Sequence, residues 1–407
     1  MEAQVNGDGR GRADWTDFVH TGPGTLAGRY LRRFWQPVFR SQDLKPGKAM
    51  PIRVMSEDLT LYRGQTGAPH VLAFRCAHRG TQLSTGWVEG ENLRCRYHGW
   101  TYDPSGQCVQ QPAEAEPFCN KVRIMSYPAQ EYLGLVFIYM GEGEAPPLRR
   151  YPEMEGEGER EVTLHYRACN FFNDAENAVD QLHHYFVHWQ RRSPVGEQMI
   201  PRLLAEETEY GIRITLNQPG ETRSWSWHFH MPNTLQLNIS DFDQRVHWKV
   251  PIDDESHLVP ATALIAPGAE RRPDETHKEQ DPVEFAGKVS EISRAIREGR
   301  LTVDDVDLTG GLYFPVGDDV TQVGQGAIPD RQHERLGSSD AGVILLRNLW
   351  KRDLRALAEG QPVTDWRHPA ERLVATPRLY ERAELTRGRP SGAERHPRRG
   401  QESNRHP

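Results

Sequence analysis

Two short stretches of the 407-residue chain each pair a cysteine with a histidine: Cys76 and His78 in CAHRG, then Cys95 and His98 in CRYHG, sixteen residues further on. Zinc accepts Cys and His in tetrahedral sets. Zinc motifs, however, draw like residues from each arm, as in C-x2-C followed by H-x3-H. Mixed arms can instead put both thiolates on one metal and both imidazoles on a second, the ligand split of a [2Fe–2S] cluster with unequal irons. Gly80 and Gly99 let the backbone turn tightly enough to offer amide N–H groups to the cluster sulfurs. The other cysteines, Cys108, Cys119 and Cys169, form no disulfide framework, which suits a reducing compartment.

A second group lies in NAVDQLHHYFVHW, where Asn177, Asp180, His183, His184 and His188 fall within one predicted helix from Asp174 to Trp189. On a regular helix, Ala178, Leu182, Phe186 and Trp189 form an apolar stripe, while Asn177, Asp180, His184 and His188 gather opposite. Such a polar side is ordinarily a solvated face. Three histidines and an aspartate within nine residues point instead to a metal. Two His and one carboxylate on one side of an iron leave the remaining positions open for dioxygen and substrate. Regular geometry pairs His184 with His188. His183 and His188 point about 140° apart unless a π-bulge or broken turn lies between them.

The elements that must position these residues fall into two sets. Residues 1–23 are polar and glycine-rich and read as a flexible tail, and GDGRGR opens no strand-to-helix unit that would bind a nucleotide. Leu26, Tyr30 and Phe34 suggest a helix ending near Pro37. Short alternating runs follow, PIRVMSEDLTLYRG, HVLAFRCAH, NLRCRYHGWTYDPSG and YLGLVFIYMG, broken by GQTG and DPSG. They predict an all-β domain over 24–145, helix included. After the linker GEGEAPPL, the helix through 171–189 precedes strands in GIRITLNQ, TRSWSWHFHMPN, TLQLNIS, RVHWKVPI and SHLVPATALIA. This is an α+β domain over 150–385, a helix laid over a curved antiparallel sheet. Phe285, Val289, Ile292 and Ile296 mark an amphipathic helix in a charged insertion, GVILLRNLWKRDLRALAEG is another helix, and 386–407 reads as disordered.

A net charge of −7 argues against a nucleic-acid surface. No apolar run approaches a membrane span, and the N-terminus lacks a signal-peptide core, so the expected location is cytoplasmic. Several of the ten tryptophans fall mid-chain, where Trp225, Trp227 and Trp248, with Phe229, could line a ring-sized pocket. Strand alternation lets only half of any such run face inward.

The run CAHRG…LS.G.V…L.C.YHGW.Y…G.C resembles the Rieske domain of bacterial aromatic-ring-hydroxylating oxygenases. Respiratory-chain Rieske proteins carry an extra cysteine pair where this chain has Thr81 and Tyr97, so the low-potential type is the better match. N177-A-V-D180-Q-L-H183-H-Y-F-V-H188 is similar to the oxygenase motif N-x2-D-x2-H-x4-H, which implies that His183 and His188 bind mononuclear Fe(II). GLYFPVGDDVTQVGQGAIPDR…LGSSD and VPIDDE resemble the phthalate-dioxygenase branch. There an Asp four residues before Gln completes the iron site, which implies Asp318, with Asp319 as the alternative. On local composition alone both are turn carboxylates.

The resemblance covers about residues 25 to 355 and identifies the chain as a large (alpha) subunit. It implies a helix-grip, START-like catalytic domain and one [2Fe–2S] Rieske cluster and one mononuclear Fe(II) per subunit. It also implies an obligate homo-oligomer, trimer or hexamer, in which Asp180, next to Asn177, bridges an iron-ligating histidine to a cluster histidine of another subunit. No G-x-G-x-x-G for flavin or NAD is present, so electrons must come from a separate NAD(P)H-dependent reductase, with or without a ferredoxin domain. The expected reaction is hydroxylation of an aromatic substrate with dioxygen, the substrate being an aromatic carboxylate of the phthalate, benzoate or phenoxybenzoate type. Arg213 and Arg245 are candidates to hold its carboxylate. The alternatives are a Rieske monooxygenase performing O-demethylation or ring monohydroxylation, an electron carrier without oxygenase activity, and a zinc-stabilised scaffold.

Overall fold

A computed structural model describes residues 14–188, 200–217, 224–240, 243–267, 282–306, 312–369 and 372–373. The N-terminal half holds three small antiparallel sheets. One joins Ala49–Val54, Glu57–Arg63, Pro69–Ala73 and Ser126–Tyr127, and the next joins Trp87–Glu89, Asn92–Arg94, Thr101–Tyr102 and Cys108–Gln110. The third, Gln36–Arg40 with Leu135–Ile138 and Ala129–Tyr132, faces the C-terminal half. There an eight-stranded antiparallel sheet runs in the order Glu159–Arg167, His257–Ile265, Asp243–Trp248, Thr234–Ser240, Ser224–His230, Gly211–Asn217, Arg202–Thr208, with Val250–Pro251 paired beside His257–Ile265. The chain is thus α+β, as expected.

Side-chain parity assigns the two faces of the large sheet, because directly paired residues point to the same side. One face carries Trp248, which packs edge-on against Phe137 and Tyr151, and Thr262, whose hydroxyl donates to the Leu133 carbonyl. The third N-terminal sheet covers this face. The other face carries Ile212 and Ile214, fully buried, and in register with them Phe229, Leu235 and Trp227. The five α-helices of the described residues are α1 (Leu26–Leu31), α2 (Phe171–Val179), α3 (Pro282–Arg297), α4 (Tyr313–Gly324) and α5 (Ala341–Ala358). The second face is covered by helices, and α5 approaches so closely that a Cβ at Gly342 would lie 2.2 Å from the Val179 carbonyl oxygen and 3.1 Å from Ile214 Cδ1.

Several expectations need correction. Residues 14–23, read as part of a flexible tail, are packed: Phe18 is 5% exposed and stacks on Phe172 at 4.8 Å, and the Thr21 amide donates to Asp254 at 2.9 Å. Residues 1–13 and 386–407 lie outside the described residues. Helix α1 stops at Leu31, and Pro37 already sits in a strand. The hydroxyl of Tyr30 donates to Asp353 of α5 at 2.6 Å, so this helix is fastened to the C-terminal half as well. Strands Glu159–Arg167 and Arg202–Thr208 were not foreseen. In the first, the helix-facing positions Glu161, Thr163, His165 and Arg167 are all polar and only Arg167 is buried, so the strand lacks the apolar alternation that would announce it.

Candidate metal centres

The two cysteine–histidine loops are built alike despite their different spacing. The amide of Cys76 donates to the Thr81 carbonyl and that of Gly80 to the Cys76 carbonyl, both at 2.9 Å. In the second loop Cys95 donates to Trp100 at 2.8 Å and Gly99 to Cys95 at 3.1 Å. Both glycines occupy the left-handed region, with φ of 74° and 73°, where a Cβ would be strained. The matched turns bury Cys76 and Cys95 (3% and 2% exposed) and leave His78 and His98 half-buried above them, ring centroids 4.6 Å apart. All five cysteines are free thiols. The Tyr102 hydroxyl accepts the Ala77 amide at 3.1 Å and lies 3.2 Å from Cys76 Sγ, to which it can only donate when that sulfur is a metal-bound thiolate without a proton. Nδ1 of His78 is buried with no hydrogen-bond partner among the described residues, as befits a ring nitrogen kept for a metal. Two inner thiols and two outer imidazoles fit a [2Fe–2S] cluster with one iron held by sulfur and the other by nitrogen.

The second centre forms where the predicted long helix breaks. Helix α2 ends at Val179, Asp180 takes φ −97° and ψ 81°, and a π-helical turn follows over His184–His188. The apolar stripe fails with it: Phe186 is 40% exposed, and Trp189 lies outside the described residues. The π turn gathers His183, His184 and His188 so that one ring nitrogen of each lies within 4.8 Å of the others. The Nδ1 of His183 meets the Asp180 carbonyl, which can only accept. Nδ1 therefore carries the proton, and Nε2 presents its lone pair.

Asp318 and Asp319 lie not in a turn but on α4. Pro315 and Gly317 disguise this helix, since Gly costs about 1 kcal/mol in a helix interior. Burial of Val316 in a cluster with Val289 of α3 and Leu312 offsets that cost. Gly317 also allows close approach: a Cβ there would lie 2.9 Å from Val187 Cγ1 and 3.3 Å from two atoms of the His188 ring. The next residue, Asp318, sets Oδ1 3.3 Å from His188 Nε2 and 3.6 Å from His183 Nε2, with the Asn177 amide nitrogen 3.5 Å away. Donors spaced about 3 Å apart suit one ion bound at about 2 Å. Burial alone would raise the Asp318 carboxyl, but His188, His183 and Arg167 hold it well below the usual carboxylate range. Asp319 faces away, accepting from Arg167 Nε at 2.7 Å and from His165 at 3.0 Å. Burial and the adjoining His183 and His188 rings keep His184 neutral, with its pKa pushed well down. Two imidazoles and a carboxylate fit Fe(II) with open positions.

Asp180 is half-buried. Burial raises its pKa, and its carboxylate accepts from the Leu182 and His183 amides at the break after α2. The two arginine candidates separate. Arg213 alternates with buried Ile212 and Ile214 and is exposed on the opposite face, so the structure does not bring it to the histidines. Arg245 pairs with Ala263, which pairs with Glu161, so it shares the helical face. Trp227 is on that face too, and Phe229 is in the core there. Trp248 is on the other face, and the Trp225 side chain lies outside the described residues. Sequence reasoning missed His247, two residues beyond Arg245 on the same face, which burial, Lys249 and Arg245 push down to about 3. It also missed the buried polar group Arg167, Asp174, Lys249 and His257. No local signal marks them: Asp174 lies on α2, Lys249 between two strands, and Arg167 and His257 at paired strand ends.

The Rieske [2Fe–2S] domain family matches residues 34–128. The chain is 30% identical to the 5,5'-dehydrodivanillate O-demethylase oxygenase subunit of Sphingobium sp. over 90% of its own length and 86% of that protein's. It is 30% identical to the phenoxybenzoate dioxygenase subunit alpha of Ectopseudomonas oleovorans, over 83% and 84%. Among solved structures, the oxygenase in the oxygenase–ferredoxin complex of carbazole 1,9a-dioxygenase superposes with a TM-score of 0.56 at 20% identity, covering 83% of this chain and 95% of that one. The chain belongs to the Rieske-type aromatic-ring oxygenases, as an oxygenase subunit, and is an oxidoreductase. None of its described helices is long and apolar enough to cross a membrane.

Proposed function

We propose that this subunit oxidises an aromatic carboxylate, with His183, His188 and Asp318 as ligands of mononuclear Fe(II) and Cys76, His78, Cys95 and His98 as ligands of the cluster. The observation that carries the iron assignment is the reach of one carboxylate, Asp318, to both imidazoles at 3.3 and 3.6 Å. When bound, the cluster supplies one-electron transfer and the Fe(II) supplies dioxygen activation. The chain's own share is placement. His183 is fixed by the Asp180 carbonyl, Asn177 steadies Asp318, and Arg245 offers a carboxylate a planar, bidentate donor on the sheet face that the helices cover. Neutral His247 beside it can add one hydrogen bond without a second charge.

The subunit works in the cytoplasm as a homo-oligomer, trimer or hexamer, in which Asp180 links the iron of one subunit to the cluster of the next. Residues 24–145 form the cluster domain and 150–385 the iron domain. Electrons come from a separate NAD(P)H-dependent reductase or a ferredoxin, as the ferredoxin complex of the carbazole enzyme illustrates. A second reading, O-demethylation, is favoured by the similarity to an O-demethylase oxygenase subunit over 90% of the chain. Product analysis by mass spectrometry, with a surrogate reductase and a panel of benzoates, phthalates, phenoxybenzoates and neutral aryl ethers, tests both. Oxidation confined to carboxylated rings supports the proposal; equal turnover of neutral ethers overturns the carboxylate assignment.

A further inference from the structure

Helix α2 leads into the histidines and α4 carries Asp318, and one buried side chain touches both. Arg167, 6% exposed on strand Glu159–Arg167, donates from Nη1 to Asp174 Oδ2 of α2 at 2.6 Å and to Gln322 Oε1 of α4 at 2.9 Å. Its Nε donates to Asp319 Oδ1 of α4 at 2.7 Å. The far ends of this crosspiece are also tied: Lys249 Nζ reaches Asp174 Oδ1 at 2.9 Å, His257 reaches Asp174 Oδ2 at 3.0 Å, and His165 reaches Asp319 at 3.0 Å. Asp174 stands one turn before Asn177, and Asp319 directly follows Asp318.

We propose that Arg167 is a positioning residue for the mononuclear iron: its rigid fork clamps Asp174 and Asp319 and so fixes the spacing between the helix leading to His183 and His188 and the helix bearing Asp318. The inference rests on the ligand assignment proposed above. A guanidinium presents donors at fixed angles, whereas an ammonium is a point charge with rotatable donors. If Arg167 only neutralised two buried acids, lysine would replace it.

The test uses the full chain with its cluster intact, the mononuclear iron removed by a chelator, and Co(II) titrated into the vacated position. Cluster absorption and thermal melting report folding, while Co(II) affinity and its ligand-field bands report the geometry of the donors. Arg167→Lys and Asp319→Asn are expected to weaken Co(II) by roughly 10- to 100-fold, the usual range for residues that orient metal ligands, and to shift the bands. Folded Arg167→Lys protein with wild-type affinity and wild-type bands overturns the proposal, even if its melting temperature falls. Arg167→Met should show a larger loss; if it does not fold, the lysine and Asp319→Asn variants decide alone. Wild-type protein that keeps its cluster but takes up no Co(II) overturns the ligand assignment itself, and this inference with it.

Discussion

The ring of His183 is held through Nδ1 by the main-chain carbonyl of Asp180, at the break between α2 and the π turn. The break brings His183 beside His188, which a regular helix would not, and Asp318 lies 3.6 and 3.3 Å from those two rings, while His184 stays in the same cluster. His183→Ala is therefore expected to lose the mononuclear iron while keeping the cluster colour, and His184→Ala to keep both. Metal analysis of the two purified variants checks this, and the reverse pattern would overturn the assignment.

Toward a cluster-bound Cys76 thiolate the Tyr102 hydroxyl, 3.2 Å away, would donate, which disperses negative charge on sulfur and favours the reduced cluster. Tyr102→Phe keeps the buried ring and removes that donor. Voltammetry should find a more negative cluster potential with an unchanged cluster content. An unaltered potential would mean that the hydroxyl serves only the Ala77 amide.

How much of this was legible beforehand depended on whether chemistry or packing fixed the residue. That Cys76 with His78 and Cys95 with His98 form two matched loops could be read from their spacing and from Gly80 and Gly99. The strands around them could be read from alternation and Gly-rich breaks. The α4 helix could not, since Pro315, Gly317 and two adjacent aspartates imitate a turn and only contact with α3 and His188 makes them helical. Arg167 was equally hidden, because a charged residue on a strand defaults to the surface unless partners distant in sequence, here Asp174 and Asp319, are known to meet it.

Arg245 and Arg213 differ in face, and kinetics should separate them. Arg245→Met is expected to raise KM for carboxylated substrates by at least tenfold with a smaller change in kcat, the loss of a charge-assisted pair being worth about 1.5–3 kcal/mol. Arg213→Met should leave both parameters near wild type. Equal effects from the two substitutions would remove Arg245 from substrate recognition.

Glu153 carries a prediction in pH. Burial would raise its carboxyl, but the facing His368 ring, 3.4 Å away, and a hydrogen bond from the Leu373 amide hold it down to about 2. A carboxyl depressed in the folded state stabilises the fold above its unfolded value, about 4.3, and that contribution disappears as pH falls toward 2. Wild-type protein should therefore lose melting temperature across that window, whereas Glu153→Gln should start lower at pH 6 and lose less. Parallel acid profiles for the two proteins would contradict the role.

The bare backbone of Gly317 against the imidazole of His188 means that the carboxylate and the ring are gauged by direct touch. The long stretch of chain running from one to the other does not set their separation. Apart from Lys249 and His257, which tie Asp174 of α2, the strand positions in between are therefore open to change with the organic guest without altering that touch. Diversification of substrate in such a scaffold need not be bought with loss of iron.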